Sequence, residues 1–482
     1  MKPSNLIVIM SDEHDPRFMG CSGHSLVKTP VFDKMAANGT RFANAYTPCP
    51  ICVPARAAFA TGQYVHRIRH WDNAMPYTGE IRGWGHVLQE QGIRVESIGK
   101  LHYRYAEDPA GFDIEHIPMN VYNGVGMVWG SIRDPLPEAP PTRMLGEYIG
   151  PGESTYTEYD RSVANLTVDW LKETAGKPTS EPWVLYVGFV APHFPLVAPE
   201  EFFNLYDVED MPASKLLPSD GHPHHPWIAD HDEFWNHEGA FKDEHERKTA
   251  IAAYHALCTW VDHNVGRVID ALDETGLSDT TRVIYTSDHG DNVGARGLWG
   301  KSNLYQESVA VPMIMTGPGI SRGVCQTPVD LLDLFPTILD SVGIDPAAEL
   351  EDRPGQSLLA VSQADDDDVE RPVFSEYHAV GSNSGGYMLR KGSWKYHYYV
   401  GYPPELFNLD VDPEEANDLA ADPAYGGRLA KMEAELRKIC DPEAVDKLAK
   451  EDQGALIAKH GGREKARFVG APGATPPPGA KG

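Results

Sequence analysis

The run Cys52-Val53-Pro54-Ala55-Arg56 holds a thiol, a proline and a guanidinium at the spacing C-x-P-x-R. The loop Thr47-Pro48-Cys49-Pro50 precedes it, a helical run begins at Ala57, and Thr61-Gly62 follow. A group at a helix start faces backbone N–H donors that suit an anion. Asp12 and the pair Asp288-His289 offer carboxylate and imidazole donors of the kind that hold a divalent cation. Oxygen-rich sites suit Ca2+ or Mg2+, and an imidazole admits Mn2+ more readily. Cys49 and Cys52 also form C-x-x-C, which suits redox or zinc chemistry. No second cysteine pair or close histidine pair completes a zinc set, however.

These groups come from distant parts of the chain and need a frame. Short apolar, β-rich runs at residues 6–10, 95–99, 183–190, 282–287 and 312–316 read as buried strands. Residues 30–39 read as a helix with Thr29 as N-cap and proline at the first position. Residues 159–174 and 246–274 are longer amphipathic stretches. Strands alternating with helices predict an α/β sandwich around a large, mostly parallel central sheet flanked by helices. Asp12, Lys100, His102, His193, Asp288 and His289 fall just after these strands. Open α/β sheets carry active sites beyond the carboxyl ends of their strands, so four separate segments are expected to converge on one edge.

Past the acidic run Asp365 to Asp368, a solvated loop by composition, residues 387–390 and 394–400 read as antiparallel strands and 429–439 as a helix. Two domains are expected: residues 1–375, carrying the chemistry, and residues 376–482, smaller and α+β. The tail from Gly461 is rich in Gly and Pro and is expected to be extended, either disordered or embracing a neighbouring subunit. His222, His224, His225, His231 and His237 lack regular ligand spacing and read as a polar surface loop around Trp227 and Trp235.

Lys plus Arg number 42 and Asp plus Glu 70, a formal charge of −28 over 482 residues. Such a field repels polyanions and steers cations, and nucleic-acid binding takes a basic footprint, so nucleic acid is not expected as a partner. No stretch reaches the roughly 18 consecutive apolar residues of a membrane span. Residues 1–11 are too short a pattern for a signal peptide, so a cytoplasmic location with no membrane partner is expected. The six cysteines are scattered, unlike a disulfide framework.

Taken together, the Cys52 motif, the Ser11-Asp12 turn, Gly99-Lys100-Leu101-His102, Ala191-Pro192-His193, Ser287-Asp288-His289-Gly290 and Gly297-Leu298-Trp299-Gly300-Lys301 resemble the sulfatase family. Pro404-Glu405-Leu406-Phe407-Asn408-Leu409, with Asp412-Pro413-Glu414-Glu415, looks like that family's C-terminal domain. The resemblance spans nearly the whole chain and implies an alkaline-phosphatase-like fold. It implies that a formylglycine-generating enzyme oxidises Cys52 to formylglycine, whose hydrated aldehyde attacks sulfur. The chemistry has its own logic. A thiol would form a sulfur–sulfur adduct that water releases poorly. A gem-diol offers one hydroxyl to attack and a second to expel sulfate.

The resemblance places one divalent metal, Ca2+ before Mn2+ or Mg2+, among Asp12, the residue-52 oxygen, Asp288 and His289, where it would lower the nucleophile's pKa. Many family members carry two adjacent acids at the first turn and Asp-Asn at the later one. Asp12-Glu13 and Asp288-His289 depart from that, and the histidine version resembles the choline-sulfatase and phosphonate-monoester-hydrolase branches. Glu13 is therefore in doubt as a ligand, and Asn292 is a lesser candidate. By the same resemblance Arg56 orients the nucleophile and Lys100 and Lys301 neutralise sulfate oxygens. His102 is the base that frees the aldehyde, and His193 and Lys301 are candidates to protonate the leaving alcohol.

Trp71-Asp72-Asn73 resembles a Tyr-Asp-Asn segment of choline sulfatases. Asn73 is expected to touch sulfate, and Trp129 and Glu376 to make a pocket for a quaternary ammonium. The expected activity is hydrolysis of a small alkyl or aryl sulfate such as choline sulfate, by a homo-oligomer. The alternative is a phosphonate or phosphate mono- or diester hydrolase using the same aldehyde and metal. A two-metal phosphatase fits less well, since one ligand set is found, and the intact Cys52 motif opposes a catalytically dead binding protein.

Overall fold

In the computed structural model, which describes residues 2–139, 143–177, 179–471 and 474–479, the expected strands form one eight-stranded sheet. They are β1 (Asn5–Asp12), β2 (Thr40–Phe42), β3 (Arg94–Lys100), β4 (Ile114–Met119), β5 (Trp183–Pro192), β6 (Thr281–Ser287), β7 (Met313–Thr316) and β8 (Gly323–Cys325). The order is β8-β2-β7-β6-β1-β5-β3-β4. From β6 to β4 every pairing is parallel, while β7 is antiparallel to β6 and to β2.

β1 shows why these strands are apolar at nearly every position. Leu6, Val8 and Met10 join one core, and Ile7 and Ile9 the other. Side chains alternate along a strand, so a sheet covered on both faces needs apolar residues at odd and even positions alike. Helices α1 (Pro30–Asn38), α4 (Thr155–Ala175) and α6 (Glu244–Glu274) cover one face, and α2 (Cys52–Thr61), α3 (Trp84–Glu90) and α7 (Leu334–Ser341) the other. In α4, Ser154 Oγ accepts from the Thr157 N–H and Thr157 Oγ1 from the Ser154 N–H, a reciprocal cap. α1 differs from expectation. Thr29 makes no cap bond, and Asp262 of α6 instead accepts from the N–H groups of Val31 and Phe32 at 3.2 and 2.8 Å. The free donors of this helix start are satisfied by tertiary contact.

A second sheet of four antiparallel strands, β9 (Val373–Tyr377), β10 (Gly386–Lys391), β11 (Trp394–Tyr399) and β12 (Glu405–Asn408), follows in sequence order. Its apolar residues share one core with a face of the large sheet. The segment read as a polar histidine loop is partly helical: α5 (Pro226–Trp235) starts on a proline, His225 Nδ1 accepts from the Trp227 N–H, and Trp227, Ile228 and His231 are buried. The described part of the tail lies on its own chain. Gly470 pairs with Met127, and the Ala471 N–H donates to the Gly126 carbonyl at 3.1 Å. Among the described residues no helix is long and apolar enough to cross a membrane.

Candidate active site

Asp12 ends β1, Lys100 ends β3, His193 follows β5, and Asp288-His289 follow β6. These four strands are adjacent and parallel, so pairing alone brings the groups to one edge. Cys52 opens α2, where Asn73 Oδ1 accepts from the Val53 N–H at 3.2 Å and Pro54 has no N–H to satisfy. The Cys52 Sγ lies 3.5 Å from Asp12 Oδ1 and 3.2 Å from His289 Nε2. Ligand-type atoms of Asp12, Cys52, Asp288 and His289 all fall within 4.8 Å of one another, and all four residues are buried. His289 Nδ1 donates to the Gly290 carbonyl at 3.0 Å, which leaves the Nε2 lone pair facing the cluster. Two carboxylates, an imidazole nitrogen and a residue-52 donor fit a divalent cation that prefers oxygen.

Arg56 is 1% exposed and directs its guanidinium at the carboxylates. Its Nε donates to Asp288 Oδ2 at 2.8 Å and Nη2 to Asp12 Oδ2 at 3.0 Å, while Nη1 reaches the Lys100 carbonyl and Tyr186 Oη. Its bonds therefore fix the carboxylates and do not reach Cys52. Lys100 Nζ sits 2.7 Å from Asp12 Oδ2. Burial alone would raise the Asp12 carboxyl, but the Lys100 and Arg56 charges outweigh it and hold it well below the usual carboxylate range. Burial, and after it the Asp12 charge, push the Cys52 thiol up to about 12, so the unmodified thiol stays protonated and is a poor nucleophile.

Lys301 Nζ donates to Glu13 Oε2 and to His193 Nε2, both at 2.9 Å. His193 Nδ1 donates to the Phe194 carbonyl at 2.6 Å, so Nε2 is its unprotonated nitrogen. Burial, reinforced by the Lys301 charge, lowers His193 well below the ordinary imidazole range. Lys301 is buried too, but the Asp12 charge and the hydrogen bond to Glu13 offset that and raise it above the ordinary lysine range. Asp12, Glu13 and His193 are also close enough to hold a cation, and the Lys301 ammonium already contacts Glu13 and His193. Both His102 ring nitrogens are buried without a hydrogen-bond partner among the described residues. Glu13, His102 and Ser302 hold φ of 72°, 58° and 82°. Non-glycine residues in the left-handed region gather at functional sites, where surrounding structure sustains the strain.

Residues 4–344 match the family model described as Sulfatase, and residues 294–441 match that described as N-sulphoglucosamine sulphohydrolase, C-terminal. The chain belongs to the sulfatase family. It is 33% identical over 469 residues to the choline-sulfatase of Rhizobium meliloti (strain 1021), covering 93% of this chain and 89% of that one. It is 31% identical over 447 residues to arylsulfatase K of Rattus norvegicus, covering 87% and 75%. Among solved structures, the phosphonate monoester hydrolase of Agrobacterium radiobacter shares the fold, with a TM-score of 0.73 at 22% identity over 90% and 95% of the two chains. The enzyme is a sulfuric ester hydrolase by family.

The cavity of this sulfatase opens over Cys52, Lys100, His102, His193 and Lys301. Tyr156, Phe194, Trp235 and Trp299, with Met127, Met144 and Val380, also line it. Sequence reasoning did not find this wall. Trp235 and His237, read as surface loop, both line it and stack at 5.4 Å. Proline at the first position of α5 was the available signal.

Asn73, expected at the sulfate, lines the cavity, whereas Trp129 and Glu376, expected at the alcohol, are not among the described residues that line it. Trp129 packs edge-on against Trp235 at 6.1 Å, and its Nε1 donates to the Ala471 carbonyl at 2.8 Å. Glu376 lies within β9 and is fully buried. Its Oε1 accepts from the His66 N–H and Nδ1 at 2.9 and 2.8 Å, and its Oε2 pairs with His378 Nε2 at 3.0 Å. A carboxylate so enclosed has no face left for a substrate cation. Trp71 donates to Asp452, and Asp72 accepts from Ser131 and Gln453, so both are structural. Asn292 bonds the Gly300 carbonyl and Asn303, bracing the loop that carries Lys301.

Proposed function

We propose that this sulfatase hydrolyses compact sulfate monoesters of small aromatic or alkyl alcohols, using formylglycine made from Cys52 and one divalent metal held by Asp12, Asp288 and His289. One observation carries the reading: the buried Cys52 thiol lies beside two carboxylates and an imidazole, in a cavity lined by Lys100, Lys301 and aromatic rings. The hydrated aldehyde supplies the attacking hydroxyl. A divalent metal, Ca2+ before Mn2+ or Mg2+, would be held by Asp12, Asp288 and His289 and would supply a lowered pKa for that hydroxyl and charge to offset the sulfate.

The chain's own residues do the rest. Arg56 keeps both carboxylates in place. Lys100 and Lys301 stabilise the sulfate oxygens as charge develops. Lys301, charged and bonded to the bare His193 Nε2, delivers a proton to the leaving alcohol. His102 is kept neutral by burial and by the neighbouring Lys100, and its unbonded ring nitrogens suit it to take the proton that releases sulfate. Phe194, Trp235 and Trp299 hold the alcohol. Without Glu376 at the cavity, a choline ester is favoured by aromatic faces alone, worth about 0.5–2 kcal/mol. The identities to a choline-sulfatase and an arylsulfatase support the sulfate-ester class.

The test compares matured enzyme on 4-nitrophenyl sulfate, choline sulfate and the phosphonate monoester 4-nitrophenyl phenylphosphonate, with metal analysis alongside. Both sulfates should exceed the phosphonate in kcat/KM by at least about tenfold, roughly 1.4 kcal/mol of transition-state binding. Asp12→Ala and His289→Ala should each lose metal and turnover together. A preference for the phosphonate, or full metal content in both variants, contradicts the reading.

A further inference from the structure

We propose that residues 470–471 and 474–479 form a wall of the alcohol pocket, strapped to their own chain by Trp129 and Tyr156, and that this wall excludes alcohols too large to fit beside it. The proposal rests on the cavity over Cys52 being the sulfate-ester site. Ala474 and Thr475, near the end of the chain, line that same cavity. The segment is held at three points. Gly470 bridges to Met127, with the Ala471 N–H donating to the Gly126 carbonyl at 3.1 Å. Trp129 Nε1 donates to the Ala471 carbonyl at 2.8 Å, and Tyr156 Oη donates to the Thr475 carbonyl at 2.5 Å. With the segment docked, both donor residues are buried, at 3% and 5% exposure, so each bond satisfies a donor that water does not reach.

The strap is coupled to the walls it closes. Met127 and Tyr156 themselves line the cavity. Gly470 has φ of 100°, and a Cβ there would meet the Gly126 carbonyl oxygen at 1.8 Å. A Cβ on Gly126 would in turn meet the Asn73 carbonyl oxygen at 1.8 Å. Asn73 holds the Val53 N–H beside Cys52, so glycine-only approaches link the strap to the first turn of the nucleophile's helix. Pro476, Pro477 and Pro478 restrict the free chain, which lowers the entropy lost when so short a segment docks. A segment fixed at one margin of the cavity suits a compact sulfate ester and opposes a sulfated chain that must run on past the site.

The test uses the chain ended after Val469, with full-length Trp129→Phe and Gly470→Val as variants that shorten nothing. Each is assayed on 4-nitrophenyl sulfate and on pyrenyl sulfate. Calorimetric binding of benzenesulfonate and pyrenesulfonate, which need no turnover, runs in parallel. The pyrenyl-to-nitrophenyl ratio of kcat/KM should rise at least about tenfold on truncation and about threefold in Trp129→Phe, through KM more than kcat. The sulfonate affinities should shift in the same sense. If the wild type cleaves neither sulfate, the site reading fails, and the sulfonate affinities still decide the strap. An unchanged ratio of both kinds in the truncated chain, or in the two full-length variants should truncation prevent folding, overturns the proposal.

Discussion

Lys301 and His193 are both, by residue type, able to protonate a leaving alcohol, and their hydrogen bonds separate them. His193 gives its one proton to the Phe194 carbonyl and receives from Lys301, so Lys301 is the member with a proton to deliver. An alkoxide leaves only when protonated, whereas nitrophenolate leaves unaided. Lys301→Ala should therefore slow choline sulfate hydrolysis by about 10²–10⁴-fold and 4-nitrophenyl sulfate by no more than about tenfold. Equal losses on both esters would mean that Lys301 acts through charge alone. At this scale the sequence was informative where residue type and motif coincide, as at Cys52, Asp12, Asp288 and His289. It was uninformative at Glu376, whose partner His66 lies far away in sequence, because nothing local tells which buried group will face a β-strand carboxylate.

Parallel strands made the positions of the chemical groups legible, since each follows an apolar run and the runs had to pair. Helix ends were less legible. The cap of α1 comes from Asp262 on α6, and α5 hid behind a polar, histidine-rich lead-in. One element contact bears on catalysis. Asp160 of α4 accepts from the N–H groups of Val190 and Ala191, at 2.7 and 2.8 Å, where β5 turns toward His193. Asp160→Ala leaves two buried donors unpaired, which costs about 2–4 kcal/mol. Urea melts should show that loss, and kcat should fall with it because His193 loses its support. A change under about 1 kcal/mol with unaltered kcat would show that β5 holds this end without α4.

Across the whole molecule, a formal charge of −28 surrounds a site whose Arg56 and Lys100 are 1% exposed. Long-range attraction of an anion is thus weak, and sulfate must be recognised at close range by cations already desolvated and paired. The α/β architecture with two apolar cores could be read from strand and helix periods. The path of the tail could not, because a Gly- and Pro-rich segment docks through its backbone and leaves no side-chain pattern to read. The proposed nucleophile of this sulfuric ester hydrolase is the formylglycine made from Cys52. The most direct measurement prepares the enzyme with graded exposure to a formylglycine-generating enzyme, then determines both the mass of the Cys52 peptide and turnover of 4-nitrophenyl sulfate. Conversion lowers the peptide mass by about 18 Da, as oxygen replaces sulfur and two hydrogens are lost. Turnover should rise in proportion to the converted fraction and extrapolate to zero at none. Full turnover from chains whose Cys52 remains a thiol would contradict the account.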